Sequence, residues 1–532
     1  MHRFLACLLL PGALHAQAPA ARDSAWHALN RLAFGPTPGL VDSVARTGVR
    51  RWVEQQLAER ADDRMLRDRE RGIEVLRRSP ESMARLFVEA RREVQAMRRE
   101  RGDTAAAALE DPVARRDMLR DLPEEARELR ERIVETQRLA ILRPRYAGNQ
   151  LREVLADFWL NHFNVFAGKG PVRALIPAYT ERTIRPHVLG RFRDLLLATA
   201  RAPAMLVYLD NAQSIAPGSE PGGLIARRVW RSERMAERRS SGINENYARE
   251  LLELHTLGVD GGYTQADVQA VARILTGWSI EPPQRGGQFV YRDWAHDRGE
   301  KVVLGERFPA GRGEDEGERL LDLLAMHPAT MKHVGAKLCA RLVADDPPDG
   351  CIDDAVAAWR RTNGDLRAVV TAIVLGDDFW APQHRGAKFK SPLEYTVSAL
   401  RAVGAEPDTS ARLALVVARL GQPLYQHTAP DGYPERSDDW VNSGMLLQRM
   451  NVGVGLAAGK LPGATFALPA TLPPAGDLRA LVAQVDTLVL GGRMTARTRD
   501  VILQEIATLP AGAPIASYAL GLAIGGPEFQ RQ

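Results

Sequence analysis

Eight side chains in this sequence have the types and spacing that chemistry uses: His162, Asn246, Glu250, Glu253, His255, His296, Asp297 and Lys301. Asn246, Glu250 and Glu253 recur at helical spacing, which places them on one face. Two carboxylates one turn apart can bind a cation or divide acid and base roles. The same face can instead be solvated, with Glu245–Arg249 and Arg249–Glu253 as i,i+4 ion pairs. His296 and Asp297, with Lys301 close behind, suit a metal or proton-transfer element. They also suit a turn in which Asp297 bonds its own backbone ahead of Gly299. His162 lies on the apolar stripe of its segment, where a lone histidine is more often a hydrogen-bonded core residue than a ligand. No metal-binding set is assigned from these residues, and no cofactor is named.

The elements that must position these groups are strongly specified. Asn244 caps a helix, with Glu245 in its favourable first turn. Tyr247, Leu251 and Leu254 give that helix its buried face, and Gly258 ends it in a left-handed conformation. Thr264 and Asp267 form a capping box for the next helix, whose apolar face is Val268, Val271, Ala272 and Leu275. Asn149 to Phe166 is helical and carries His162. A further helix is expected from Ile184 to Ala200. Phe289-Val290-Tyr291 reads as a short strand near His296. His327-Pro328 and Lys388 to Pro392 read as helix starts.

The remaining organisation follows from composition. Segment 24–57 reads as two short helices around Gly35-Pro36-Thr37-Pro38, the second running from near Pro38 to Leu57. Segment 58–142 alternates Arg and Glu and reads as a charged, variable helical arm of long, solvent-facing helices with a flexible break at Gly102–Asp111. Segment 143–532 is the main helical body, with a Gly- and Arg-rich mobile loop at Ser214–Ser241 and a Pro/Gly/aromatic loop at Gln422–Asn442. The expected fold class is mainly α: a multi-helix globular body with a few short strands and a charged helical arm.

The 532 residues are 45% hydrophobic and 26% charged, ordinary globular values, with a net charge of +5. Lysine occurs at only seven positions, and the charges of both signs are interspersed, so no stripe fits a nucleic-acid backbone. Arg3 followed by an apolar run to Leu14 and small residues around Ala16 and Ala18 reads as a signal peptide over 1–18, cleaved after Ala16. That run is too short to span a bilayer, and no transmembrane segment is expected in the mature chain. The expected location is periplasmic or secreted. Cys339 and Cys351, the two cysteines left after cleavage, flank a helix end and a Pro/Gly turn, and are a disulfide candidate in an oxidising compartment. Two buried thiols are the alternative.

The chain contains no GxGxxG after a strand, no GxxxxGK[ST], no HExxH and no GxSxG. What it does contain is an ordered set of segments. These are LNRLAFGPTP, FWLNHFNV, AMLVYLDN, NENYARELLELHTLGVDGGYTQADV with ARILTGW, HDRGEKVVLG, HPATMKHVGAKL, KFKSPLEYTVSALRAVG, GQPLYQHTAPDGYP with Trp440, and GPEFQ. Together they resemble the bacterial family of domain of unknown function 1800. The resemblance implies an exported protein without established activity, and a protein partner encoded beside it, from the domain of unknown function 1501 family. Relatives often carry His where this chain has Leu160, which favours a packing role for His162 here.

Two functions are carried forward. The first is an exported protein with a cell-envelope binding or assembly role. The second is an envelope-acting hydrolase, metal-dependent or not, with a site built from Glu250, Glu253, His255, His296 and Asp297. Convergence of those five on one concave pocket would favour the enzyme; separate pairing would favour binding.

Overall fold

The computed structural model describes residues 12–101, 121–219, 242–469, 472–473 and 476–532. Residues 1–11 of the expected leader, the expected break at 102–111 and most of the expected 214–241 loop lie outside the described residues.

The expectation of a mainly α protein is borne out. Among the described residues the β-structure consists of short antiparallel pairs. Trp278–Ile280 (β1) pairs with Phe289–Tyr291 (β2), and Lys301–Val303 (β3) with Glu306–Phe308 (β4). The principal helices are α1 (Gly12–Arg31), α2 (Pro80–Arg101), α3 (Glu124–Tyr146), α4 (Gln150–His162), α5 (Glu245–Leu252), α6 (Gln265–Ile274), α7 (Pro328–Leu342), α8 (Asp349–Thr362) and α9 (Pro392–Val403). No helix of the described residues is long and apolar enough to cross a membrane.

Local chemistry sets the helix starts. Asn244 Oδ1 accepts from the Asn246 N–H at 2.8 Å, and Thr264 with Asp267, and Ser391 with Glu394, form complete capping boxes. His327 caps α7 by accepting from the Ala329 N–H at 3.2 Å. Two expected boundaries move. The 38–57 helix is divided at Gly48, whose φ of 98° no helix admits. The expected 184–200 helix is confined to Phe192–Ala200, because Pro186 and Gly190 interrupt the turn before it.

One continuous apolar core runs from Leu32 to Phe529 and includes Trp159, Trp278, Trp359 and Tyr395, all fully buried. The charged segment attaches through two small clusters: Met83, Leu86 and Ala90 of α2 against Leu129 of α3, and Leu66, Ile73 and Val75 against Leu139, Leu142 and Tyr146. Its thin apolar stripes are therefore consumed in packing α2 on α3 and both on the body. A disulfide joins Cys339 of α7 to Cys351 of α8, with Cα atoms 6.2 Å apart.

Candidate functional site

The polar seam of the molecule lies where α4, α7, the end of α5 and the 422–442 loop meet. After Leu252 the α5 helix passes into a π turn over Glu253–Leu257, which inserts an extra residue and re-aims the side chains that follow. Thr256 Oγ1 donates to the Leu251 carbonyl at 2.6 Å within that turn. Gly258 has the expected positive φ (85°), but its ψ of 163° lies outside the left-handed helical region. The π turn has already closed the helix, and the space beside Gly258 belongs to the His333 ring: a Cβ there would stand 2.9 Å from His333 Nδ1.

The turn buries His255 beside His162, whose Nε2 donates to the His255 carbonyl at 3.2 Å. His162 ring contacts with His255 and His333 have centroid separations of 6.3 and 6.5 Å. Burial, and then the Lys337 ammonium, hold His162 well below its ordinary pKa and His255 at about 3. Both rings are therefore neutral at pH 7. His333 is lowered by the same two causes. Among the described residues no set of three or more His, Cys, Asp or Glu side chains has the geometry to hold a metal ion.

Glu250, Glu253 and Asn246 lie near this cluster. Glu253 accepts from the Tyr263 hydroxyl at 2.8 Å. Asn246 is exposed. The expected i,i+4 ion pairs are replaced by a polar bridge to the next helix: Arg249 donates to Gln265 (2.8 Å), and Gln265 donates to Glu245 (2.7 Å). Gln265 presents both an acceptor and donors to α5, which is why the bridge outcompetes the ion pairs. Glu250 is half-buried and, among the described residues, has no hydrogen-bond or ion-pair partner. Its carboxyl is pushed up by burial, then by Glu253 and Asp431. Among the described residues Lys337 also lacks a partner at bonding distance, and burial lowers it against the pull of Glu435 and Asp431.

His296, Asp297 and Lys301 form a separate network. Arg273 grips Asp297 through two bonds of 2.8 and 3.0 Å. Lys301, fully buried, donates to Glu316 at 2.6 Å and to the Asp297 carbonyl. His296 Nδ1 donates to the Thr276 carbonyl at 3.0 Å, and its Nε2 lies 3.6 Å from Glu316. Asp297 also accepts from the Gly299 N–H at 2.9 Å, the turn chemistry anticipated for it. These bonds tie α6 to β3 and to helix Asp315–Ala325. None reaches Glu250, Glu253 or His255.

The most densely charged part of the seam was not anticipated. Arg341, nearly fully buried, meets Asp157 (2.9 Å), Glu394 (3.0 Å) and Glu435 (3.1 Å). Lys388 pairs with Asp345 alongside. His333, Lys337 and Arg341 recur every four residues along α7, a stripe that was visible in the sequence, but its acidic partners come from three distant segments. The 427–435 loop is fastened over this cluster. Asn161 donates to the Tyr433 carbonyl and accepts from the Tyr433 N–H, both at 2.7 Å. Asn164 donates to the Ala429 carbonyl (2.7 Å), and the Tyr208 hydroxyl to the Thr428 carbonyl (2.8 Å). A cavity with about 90 Å³ of room lies beside α4, and Asp157, Asn161 and Tyr433 line both it and the Arg341 cleft.

The family model described as "Protein of unknown function (DUF1800)" matches residues 27–531, nearly the whole chain. No curated protein and no solved structure matches. The chain belongs to the DUF1800 family.

Proposed function

We propose that this DUF1800 protein is exported, loses its leader after Ala16, and works in the periplasm or outside the cell by binding. Its role is cell-envelope assembly together with a protein partner, the neighbour-encoded exported protein of the domain of unknown function 1501 family. The observation that carries this reading is the separation of the candidate catalytic groups. Asp297 is held by Arg273, and Lys301 by Glu316, while Glu253 is occupied by Tyr263. Catalysis by the five would need them within bonding reach of one substrate atom. A leader of the expected kind and a disulfide between Cys339 and Cys351 support export. The test is fractionation of native cells with peptide mapping of the N-terminus. The expected product starts at Gln17 in the envelope or the medium; an uncleaved chain in the cytoplasm overturns the proposal.

A second reading, an envelope-acting hydrolase, is favoured by one observation. Among the described residues Glu250 and Lys337 are both unpartnered, both feel the Asp431 charge, and burial moves their pKa values towards neutrality. Purified protein would then cleave isolated envelope material, and Glu250→Gln would abolish the cleavage while leaving the melting temperature unchanged. Equal product from wild type and Glu250→Gln removes this reading.

A further inference from the structure

The cavity beside α4 is uncharged in effect, because each ion on its wall is matched. Arg185 makes bonds of 2.7 and 2.8 Å to Glu153, Arg143 pairs with Glu181 and Glu70, and Asp157 pairs with Arg341. Its amides and one of its hydroxyls are engaged as well. Asn161 is clamped to Tyr433, and Asn164 donates to the Ala429 carbonyl. Gln422 accepts from the Leu393 N–H at 2.9 Å, and Thr136 donates to the Arg132 carbonyl at 2.8 Å. Phe34, Leu139, Leu160, Pro177 and Leu424 supply apolar wall.

Two hydroxyls on the same wall stand apart. Thr180 is only 5% exposed, and among the described residues its Oγ1 makes no hydrogen bond. The Tyr425 hydroxyl lies beside it, and burial pushes that group up to about 12, so it keeps its proton at neutral pH. Tyr425 is held at φ 61°, a left-handed conformation that an aromatic residue adopts only where its surroundings fix it. Here the Ala167 N–H donates to its carbonyl at 2.9 Å. A buried hydroxyl without a partner is costly, and one oxygen placed between these two could accept from one and donate to the other. The room of about 90 Å³ equals about three water volumes at roughly 30 Å³ each. It is too small for an aromatic ring, since a benzene site has roughly 150 Å³.

We propose that this cavity binds a small neutral alcohol, a straight chain of two or three carbons whose hydroxyl bridges Thr180 and Tyr425. An ammonium or a carboxylate is excluded, because it would leave water and find no unmatched counter-ion inside. The inference goes beyond the assembly role: it is read on the isolated chain, so its failure leaves export and the partner untouched, and theirs leaves it untouched.

The test uses the full mature chain and saturation-transfer NMR with methanol, ethanol, 1-propanol and 1-hexanol, and with n-propylammonium and propanoate. Affinity rises about fourfold per methylene from methanol to 1-propanol, as burial of each group predicts. It then stops: 1-hexanol binds no tighter than 1-propanol, because the room is filled. The two charged analogues bind more than about tenfold weaker than 1-propanol. These readouts need no variant. Thr180→Val keeps the shape and removes the hydroxyl, and it weakens 1-propanol about fivefold while leaving the dependence on chain length unchanged. Leu160→Phe narrows the cavity, leaves every charge in place and removes binding. Absence of saturation transfer from 1-propanol would mean that the cavity holds trapped water only, and overturns the proposal. So does affinity that keeps rising to 1-hexanol, propylammonium or propanoate equal to 1-propanol, or Thr180→Val equal to wild type.

Discussion

The side-chain amide of Asn161 pairs with the backbone of Tyr433 as one strand pairs with another, donating to its carbonyl and accepting from its N–H, both at 2.7 Å. This reciprocal clamp joins the end of α4 to a loop 272 positions away. It works only because Gly432 has no side chain, since a Cβ there would lie 2.3 Å from the Asn161 carbonyl oxygen.

Asn161→Ala therefore leaves two part-buried backbone groups of Tyr433 unmatched. The expected cost is about 2 kcal/mol, within the range for stranding buried hydrogen-bonding groups. Hydrogen exchange measured by mass spectrometry is expected to rise first in peptides covering 427–435. Unchanged protection there would show that Asn164 and Tyr208 alone hold the loop.

Arg341→Met removes the guanidinium shared by Asp157, Glu394 and Glu435. Uncompensated buried carboxylates make this the most damaging single change in the seam, with an expected loss of about 3–5 kcal/mol in urea unfolding. Arg341→Lys is expected to recover only part of that, because a point charge cannot serve three carboxylates in a planar fork.

Acid should weaken the fold well above the ordinary carboxylate range. His27 and His255 are pushed down to about 3, chiefly by burial, and His162 lies well below 6.5. Between those folded values and about pH 6.5 the unfolded chain takes up protons that the folded chain refuses, so the unfolding free energy falls as pH falls. Asp157, pushed up to about 6, and Glu250, also raised by burial, act in the opposite sense, two groups against the three histidines. Each unopposed proton is worth about 1.4 kcal/mol per pH unit. The melting temperature should fall steadily from pH 6.5 to 4.5, and His255→Gln should make that slope shallower. A melting temperature that is flat or rises over this interval would contradict the burial of neutral rings.

The bond between α7 and α8 gives a prediction about chemistry as well as stability. Cys339→Ser opens a loop spanned by 12 positions and is expected to cost roughly 3 kcal/mol. Maleimide labelling of denatured, unreduced mature protein should find no free thiol. Two labelled cysteines in protein isolated from the envelope would place the chain outside an oxidising compartment.

Much of the scaffold was legible because its instructions are local. The Thr264–Asp267 and Ser391–Glu394 boxes, the Asn244 and His327 caps and the Phe289–Tyr291 strand all depend on residues a few positions apart. The exceptions have physical causes. The π turn at Glu253–Leu257 inserts a residue that helical periodicity does not register, so the shared face of Asn246, Glu250 and Glu253 ends differently from its pattern. Charges were harder to read than caps. Asp157 and Arg341 are 184 positions apart, and nothing near either residue names the other. His296, Asp297 and Lys301 did come together as their spacing suggested, but Arg273 and Glu316, which occupy them, were invisible as partners until the chain was folded.

In-cell cross-linking of the native protein, followed by identification of the linked chain, tests the binding account most directly. A covalent adduct with the neighbour-encoded exported protein, absent from cells that lack that neighbour, is the predicted result. Recovery of the mature chain only as an unlinked monomer, under conditions that capture known envelope complexes, would contradict it.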